Sequence, residues 1–204
     1  MPKISTQDLA SHRDWRRNQL ISAATQIALE ESSASISIAA VAARAGLSRT
    51  SVYEYFSSSQ DLVADLLIEE LKNFGELLRG AIEDESDPIA ALTIWIETSL
   101  NYVGDGRHLL AKSLHATTLP RERNAEIGAA HRQMLAPLSK TFAALGITDT
   151  ARAFAQLQAI TDVATRRIES GAATAEDEIA VTSDFYIAGI KALANSDSQL
   201  LLKR

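Results

Sequence analysis

The segment SIAAVAARAGLSRTSVYEYF, residues 37–56, constrains the fold more than any other part of the chain. It contains two short helical runs separated by a single glycine, Gly46. A tight turn between two helices usually needs a residue at positive φ, which glycine adopts without steric penalty. Apolar residues recur at helical spacing on both sides of this glycine, at Ile38 and Val41 before it and at Val52 after it. The segment therefore predicts a helix-turn-helix.

Serines precede both helices of the predicted motif. Ser37 and Ser48 can each accept a hydrogen bond from the free backbone N–H groups of the helix that follows. Val52 and Phe56 supply the buried face of the second helix, which we expect to span about 49–56, so its polar side chains face outward. In a helix-turn-helix, the N-terminal end of the second helix enters the major groove of DNA. The outward-facing candidates are Arg49, Thr50, Ser51 and Tyr53.

These four side chains have the chemistry that a duplex surface requires. Arg49 could donate two hydrogen bonds to guanine O6 and N7. Thr50 and Ser51 could reach phosphate oxygens or base edges, and the Tyr53 hydroxyl suits a phosphate oxygen. The alternative is that polar residues on a short exposed helix are merely solvated, and each of them taken alone fits that interpretation equally well.

Charge restricts where DNA could bind. The formal net charge is −6, but residues 1–60 carry about +1 and the remainder about −7. An acidic body repels phosphate, so any DNA contact is expected within the first sixty residues. The absence of cysteine excludes disulfides and thiolate metal sites and fits a reducing cytoplasm. The N-terminus lacks the apolar stretch of a signal peptide, and no apolar run is long enough for a membrane span, so we expect a soluble, cytoplasmic protein.

Helical periodicity extends over nearly the whole chain, and no segment shows sustained two-residue alternation. We predict an all-α fold of about nine helices, in which a three-helix N-terminal domain precedes a larger six-helix domain. The first helix is expected over 16–31, and residues 121–145 are expected to form one helix bent at Pro137. The predicted divisions are an N-terminal arm at 1–15, a helix-turn-helix domain at 16–60 and the larger domain at 61–204.

The sequence contains no motif that indicates catalysis. It has no Gly-rich phosphate loop, no nucleophile elbow and no HExxH pair. His108 and His115 could share a helix face, but no third ligand is in view, so we predict no metal site. We therefore expect neither catalytic residues nor a cofactor.

Residues 16–65 resemble the DNA-binding domain of TetR-family transcriptional regulators. The resemblance includes the AGLS turn at 45–48 and the VYEYF end of the recognition helix at 52–56. It implies a two-domain, all-α homodimer that binds a palindromic operator, with a small-molecule pocket in the second domain. Most family members repress transcription, so the resemblance implies a ligand-responsive repressor.

The resemblance also implies residue roles. Ser37 matches a cap whose hydroxyl meets phosphate, and Tyr55 stands where the family often has His or Tyr near the DNA backbone. Arg49, Thr50 and Ser51 match the base-reading turn, and Tyr53 matches a tyrosine that contacts phosphate. Many members have a phosphate-binding Lys at the position of Ser59, so we expect greater reliance on an N-terminal arm. The arm residues expected to contact DNA are Arg16 and Arg17, together with Arg13.

In the second domain, the family's last two helices usually form a four-helix dimer interface with their symmetry mates. The alternative is that their apolar stripes are ordinary intrachain core, and periodicity does not separate the two. The candidate interface residues on these helices, at about 149–170 and 174–195, are Phe154, Leu157, Ala164, Ile168, Phe185, Gly189 and Leu193.

The implied effector pocket has candidates on the helices expected to surround it. An apolar cavity with a few polar anchors is the usual form of such a site. Each candidate could instead be a simple core residue, which is the more common role of an isolated aromatic or His side chain on an apolar helix face. They are Trp95, Tyr102, His115, Met134 and Phe142.

Two alternatives to a ligand-responsive repressor stay open. The chain could be a regulator that responds to a protein partner rather than to a small molecule. It could also be a small-molecule-binding or enzymatic helical domain whose helix-turn-helix is vestigial.

Overall fold

The computed structural model describes residues 6–31, 33–115 and 119–201, and every regular element in these ranges is helical. The predicted all-α fold is confirmed, with ten α-helices in the described ranges rather than about nine, and with two short 3₁₀ turns at Ser33–Ser35 and Arg121–Arg123. The helices are α1 (Thr6–Glu30), α2 (Ile38–Ala45), α3 (Arg49–Tyr53), α4 (Ser59–Ile82), α5 (Pro88–Gly104), α6 (Leu109–His115), α7 (Asn124–Leu135), α8 (Pro137–Ala144), α9 (Thr150–Glu169) and α10 (Ala175–Leu201).

The chain forms two compact units. The N-terminal unit comprises the residues up to Leu71 together with 109–130. The C-terminal unit comprises residues 72–108 together with those from His131 onward. The N-terminal unit thus includes α6 and the start of α7, which a contiguous division near residue 60 would assign to the larger domain.

Helix α1 begins at Thr6 rather than near Arg16. The residues between them include neither glycine nor proline, so nothing in this stretch ends a helix. From Thr6 onward, the predicted arm is therefore helical. Arg16 lies on α1 with its guanidinium carbon 5.3 Å from the ring centroid of the exposed Trp15.

The prediction of one bent helix over 121–145 is wrong. Residues 121–123 form a 3₁₀ turn, α7 ends at Leu135, and α8 begins at Pro137, in the first-turn position where a missing N–H costs least. At the break, the backbone N–H of Ala136 donates to the carbonyl of Gln133 at 3.3 Å. Proline therefore separates two helices here instead of bending one. At the other end of the chain, α10 extends to Leu201, beyond the expected end near 195.

The core of the N-terminal unit places α3. Val41 of α2 and Val52 of α3 are fully buried, and Phe56 is 1% exposed. They share the N-terminal unit with buried residues of α1 and α4, which include Leu20, Ala24, Ile27, Leu62 and Leu66. Burial of a large apolar side chain contributes about 1.5–3 kcal/mol, so this core determines which face of α3 is left outside.

The core of the C-terminal unit is built around α5, which packs against α8, α9 and α10. Leu92, Ile96 and Leu100 of α5 are fully buried. On α10, the hydroxyl of Tyr186 donates to the carbonyl of Ala153 at 2.9 Å, and burial raises the pKa of this phenol. These contacts determine which faces of α9 and α10 belong to the intrachain core.

Candidate functional site

The turn between α2 and α3 has the predicted geometry. Gly46 adopts φ 67°, in the left-handed region. The N–H of Leu47 donates to the carbonyl of Ala42 at 2.9 Å, and the N–H of Gly46 donates to Ala43 at 3.3 Å. This pair of hydrogen bonds is the Schellman arrangement that ends a helix at glycine. The prediction of a glycine turn is confirmed.

Both predicted serine caps are present. Ser37 Oγ accepts from the N–H of Ala40 at 3.1 Å, and Ser48 Oγ accepts from the N–H of Ser51 at 3.1 Å. The Ser48 and Ser51 hydroxyls also lie 3.0 Å apart and share a hydrogen bond. Since only one of the two donates in this bond, the pair retains one O–H donor for an outside acceptor.

The outward face of α3 is open within the N-terminal unit. Val52 is fully buried, whereas Arg49 and Thr50 are exposed and Tyr53 is 58% exposed. Ser51 and Tyr55 are half-buried.

Helix α3 ends at Tyr53, so the expected end near residue 56 is wrong. The N–H groups of Tyr55 and Phe56 both donate to the carbonyl of Val52, at 3.0 and 3.1 Å. These bonds tighten the last turn and direct Phe56 into the core, so the polar face extends over little more than one helical turn.

The two arginines expected on the arm differ in their surroundings. Arg17 Nη2 lies 2.6 Å from Asp65 Oδ2, and its guanidinium carbon is 5.9 Å from the centroid of the Phe56 ring. Its charge therefore joins α1 to α4 inside the N-terminal unit. Arg16 is half-buried and has no ion-pair partner among the described residues.

An ion network that the sequence does not indicate lies beside α4. Arg123, from the 3₁₀ turn before α7, donates from Nη1 to Asp61 and from Nη2 to Asp65. Glu126 lies 3.1 Å from the same guanidinium. Asp61 and Asp65 are one helical turn apart, which favours a shared partner, but no local pattern identifies a partner about sixty residues away.

Asp61 also closes the start of α4. Its backbone N–H donates to Ser58 Oγ at 3.1 Å, and its Oδ2 accepts from the N–H and the hydroxyl of Ser57, both at 3.1 Å. Burial alone would raise the pKa of Asp61, but the Ser57 hydrogen bonds and Arg123 outweigh burial and hold this pKa below its ordinary value.

A cavity of about 190 Å³ lies inside the C-terminal unit, between α4, α5, α7 and α9. Of the five predicted effector residues, Trp95 and Met134 line it. Tyr102 instead stacks on Phe74 at a centroid distance of 4.4 Å, and Phe142 packs edge-on against Phe154 at 5.0 Å. The side chain of His115 lies outside the described residues. The full lining is Phe74, Leu78, Trp95, Ser99, Leu100, Val103, His131, Met134, Leu135, Phe154, Leu157, Gln158, Thr161, Asp162 and Thr165.

The predicted dimer residues fall into two groups. Leu157 and Ala164 are buried in the intrachain core, and Phe154 and Ile168 pack against it. A wide, open groove between α9 and α10 is lined by the other three, Phe185, Gly189 and Leu193.

Further residues of the same surface were not among those predicted. Ile160 and Val163 line the groove, and Val163 is 47% exposed, beside the predicted Phe185 at 73%. Val181, on α10, is 66% exposed. Their one-turn spacing along α9 and α10 is the only sequence signal that could have found them.

The described part of the chain contains neither a metal-binding cluster nor a membrane-spanning helix. No group of three His, Asp or Glu side chains there is placed to hold a metal ion. None of the described helices is both long enough and apolar enough to cross a membrane.

The N-terminal segment is similar in sequence to a known protein family. Residues 20–66 match the family model for bacterial regulatory proteins of the tetR family. No protein of curated function shows significant sequence similarity to the chain.

Similar solved structures cover most of the chain. A putative transcriptional regulator from Pseudomonas aeruginosa has a TM-score of 0.69 at 19% identity, covering 88% of this chain and 92% of its own. A TetR-like transcriptional regulator from a Rhodococcus species has a TM-score of 0.64 at 19% identity, with coverages of 86% and 95%. The transcriptional regulator FadR from Bacillus subtilis, in complex with stearoyl-CoA, has a TM-score of 0.65 at 19% identity, with coverages of 86% and 97%. At these identities the likeness shows the fold, and the predicted resemblance to TetR-family regulators is confirmed.

Proposed function

We propose that this chain, which has the fold of TetR-family transcriptional regulators, is a repressor that binds a palindromic operator as a homodimer. A small molecule that binds in the C-terminal unit would release it from DNA. The observation that carries the proposal is the open face of α3. Arg49 and Thr50 are exposed at the N-terminal end of a helix whose opposite face is anchored by the fully buried Val52.

The geometry of α3 supports base reading. Its capped N-terminal end carries Arg49, whose planar guanidinium can pair with one guanine edge in the major groove. Tyr53, at the other end of the exposed face, suits a phosphate oxygen. Two copies related by a twofold axis would have to present their α3 helices to half-sites about 34–36 Å apart.

The groove between α9 and α10 supports dimerisation. Large apolar side chains are exposed there, above all Phe185 at 73%, and exposed apolar patches of this kind mark interaction surfaces. Twofold symmetry is the commonest symmetry of oligomers, and a twofold dimer would cover the same patch on both copies. We place Val163, Phe185 and Gly189 at this interface, and we assign Leu157 and Ala164 to the core instead.

The cavity supports a small-molecule effector. It contains Trp95 and Met134, and the similar regulator from Bacillus subtilis holds stearoyl-CoA in its structure. Helix α4 supplies Phe74 and Leu78 to the cavity and Asp61 to the ion network with Arg123. A ligand that displaces α4 would therefore act on the element that follows the recognition helix. Such a ligand shifts the equilibrium between the DNA-binding and the released arrangement of the dimer only if it binds these two arrangements with different affinity.

Selection from a pool of random-sequence DNA duplexes tests the proposal, because such a selection does not require a known operator. We expect enrichment of a palindromic sequence. Arg49→Ala should then weaken binding to the selected duplex by about 1–3 kcal/mol in fluorescence anisotropy, because it removes a bidentate base contact. The matched control is Arg79→Ala, which removes an exposed arginine from the part of α4 in the C-terminal unit.

Two results would refute the proposal. One is a selection that enriches no sequence. The other is an Arg49→Ala variant that binds the selected duplex as tightly as the Arg79→Ala control does.

A further inference from the structure

The walls of the cavity differ in polarity. The walls formed by α4, α5 and α7 are mainly apolar, and they include the aromatic rings of Phe74 and Trp95. The α9 wall is polar along one helix face. Four polar side chains at helical spacing line it: Gln158, Thr161, Asp162 and Thr165. An amphipathic ligand would therefore direct its polar group towards α9.

Two groups of the α9 wall offer hydrogen-bond acceptors. Thr161 Oγ1 donates its single proton to backbone carbonyls, with Leu157 O at 2.9 Å, so only its lone pairs remain for a ligand. The ionised carboxylate of Asp162 can only accept, and it has no hydrogen-bond or ion-pair partner among the described residues. A ligand that donates hydrogen bonds fits these two groups.

The formal charge of the lining is negative. Of the described residues that surround the cavity, Asp162 is the acidic one and none is Lys or Arg. His131, which also lines the cavity, is already engaged by another interaction. A carboxylate or phosphate bound here would find no Lys or Arg among the lining residues to pair with, and it would lie close to the negative charge of Asp162. An ammonium group would instead pair with Asp162.

The volume restricts the size of the ligand. At about 190 Å³ the cavity is smaller than the sites of about 300–1,000 Å³ that hold drug-sized molecules. A cavity of about 150 Å³ with apolar walls accommodates benzene, so a single ring with a short substituent fits this one. The aromatic faces of Phe74, Trp95 and Phe154 suit a ring, and they also attract a cation that lies near them.

We propose that the effector is a compact organic cation, a one-ring amine whose ring lies among Phe74, Trp95 and Phe154 and whose ammonium pairs with Asp162. The inference rests on the proposed function, because it names the chemical class of that function's effector. Fatty acids and their CoA thioesters do not fit, since their negative charge meets a carboxylate and their chains exceed the volume.

Three probes that share a ring and differ in charge test the inference. They are 2-phenylethylamine, 2-phenylethanol and 3-phenylpropionate, titrated calorimetrically into the full chain at about pH 7.5. We expect the amine to bind about tenfold more tightly than the alcohol, and the carboxylate to bind most weakly. The chain has two tryptophans, so a Trp15→Phe background leaves Trp95 as the single tryptophan, and its emission, excited selectively over the tyrosines, reports binding at the cavity.

Asp162→Asn separates charge from shape. This substitution removes the negative charge of an exposed side chain with little change in volume, so the fold should be retained. We expect the Kd of the amine to rise about twofold to fivefold, as for an ion pair with an exposed carboxylate, and the Kd of the alcohol to stay unchanged. The matched control is Glu97→Gln, which removes the same charge from an exposed position on α5 that does not line the cavity.

Three outcomes would overturn the inference: binding of the carboxylate as tight as that of the amine, no binding of any probe, or an unchanged amine Kd in Asp162→Asn. The DNA selection decides the proposed function separately. A chain that enriches a duplex but binds no probe retains the proposed function and loses this inference. A chain that binds the amine through Asp162 but enriches no duplex loses the proposed function and retains the inference about the ligand.

Discussion

Replacing Arg123 by methionine tests what the ion network contributes to the N-terminal unit. The guanidinium joins Asp61 and Asp65, and the three side chains are 17%, 20% and 13% exposed. Methionine retains much of the apolar stem and removes the charge and all five donors. Asp65 would retain Arg17, whereas Asp61 would lose its ion-pair partner among the described residues.

The expected loss lies between two limits. Exposed ion pairs contribute about 0–1 kcal/mol, and breaking a buried pair costs about 3–5 kcal/mol because it leaves an uncompensated charge. Since the network is mostly but not fully buried, we expect Arg123→Met to lower the free energy of unfolding by about 2–3 kcal/mol. For a chain of this length, that corresponds to a decrease in Tm of about 4–12 °C, measurable by calorimetry.

The same turn supplies a matched control. Arg121 is exposed and has no hydrogen bond or ion pair among the described residues, so Arg121→Met should change stability by no more than about 0.5 kcal/mol. Arg123→Lys should fall between the two, because one ammonium group lacks the fork that reaches both carboxylates. If Arg123→Met and Arg121→Met unfold at the same temperature, the network does not stabilise the unit.

The pH dependence provides a second readout of the same variant. The pKa of Asp61 is lower in the folded chain than its ordinary value of 3.8, because the Ser57 and Arg123 contacts outweigh burial. A depressed folded pKa contributes stability that is present above the unfolded pKa and is lost as the pH falls through the folded value. Between about pH 5 and pH 3 the wild type should therefore lose stability, and Arg123→Met should lose less. The free energy of unfolding is measured against pH by urea denaturation for both proteins. If the two curves run parallel, this account is contradicted.

Three further predictions concern other parts of the molecule. Phe185→Glu places a charge in the α9–α10 groove and should convert a dimer into a monomer in light scattering, and a dimer that survives it would remove the groove from the interface. Gly46→Ala should cost about 1–2 kcal/mol because of its φ of 67°, whereas Gly80→Ala, on a helix with open space around it, should stabilise by about 0.5–1 kcal/mol, both measured by urea denaturation. Arg16→Ala should reduce the slope of log affinity against log salt concentration by the amount that about one phosphate contact contributes. An unchanged slope in fluorescence anisotropy would exclude Arg16 from the interface.

The helix-turn-helix was predictable because its determinants are local. A glycine at positive φ, two serine caps and apolar residues at helical spacing each act within one or two turns of chain. Local energies of this kind can be read from neighbouring residues, so the turn, the caps and the open polar face were all expected. The expectation was wrong where two local rules compete. Proline can bend a helix or begin one, and Pro137 begins α8 instead of bending a helix that continues through it.

Only the tertiary structure decided which neighbours cover each helix face. Arg123 meets Asp65 across 58 residues of sequence, and the spacing of neither residue indicates the other. The α9 stripe that includes Leu157 lies in the core, whereas the α10 stripe that includes Phe185 is left open. Phe142, for which the sequence left both a pocket and a core role open, is fully buried in the core against Phe154. Periodicity determines which residues share a face, but the packing partner of that face is set by contacts between distant segments, and these determine the cavity, the groove and the ion network.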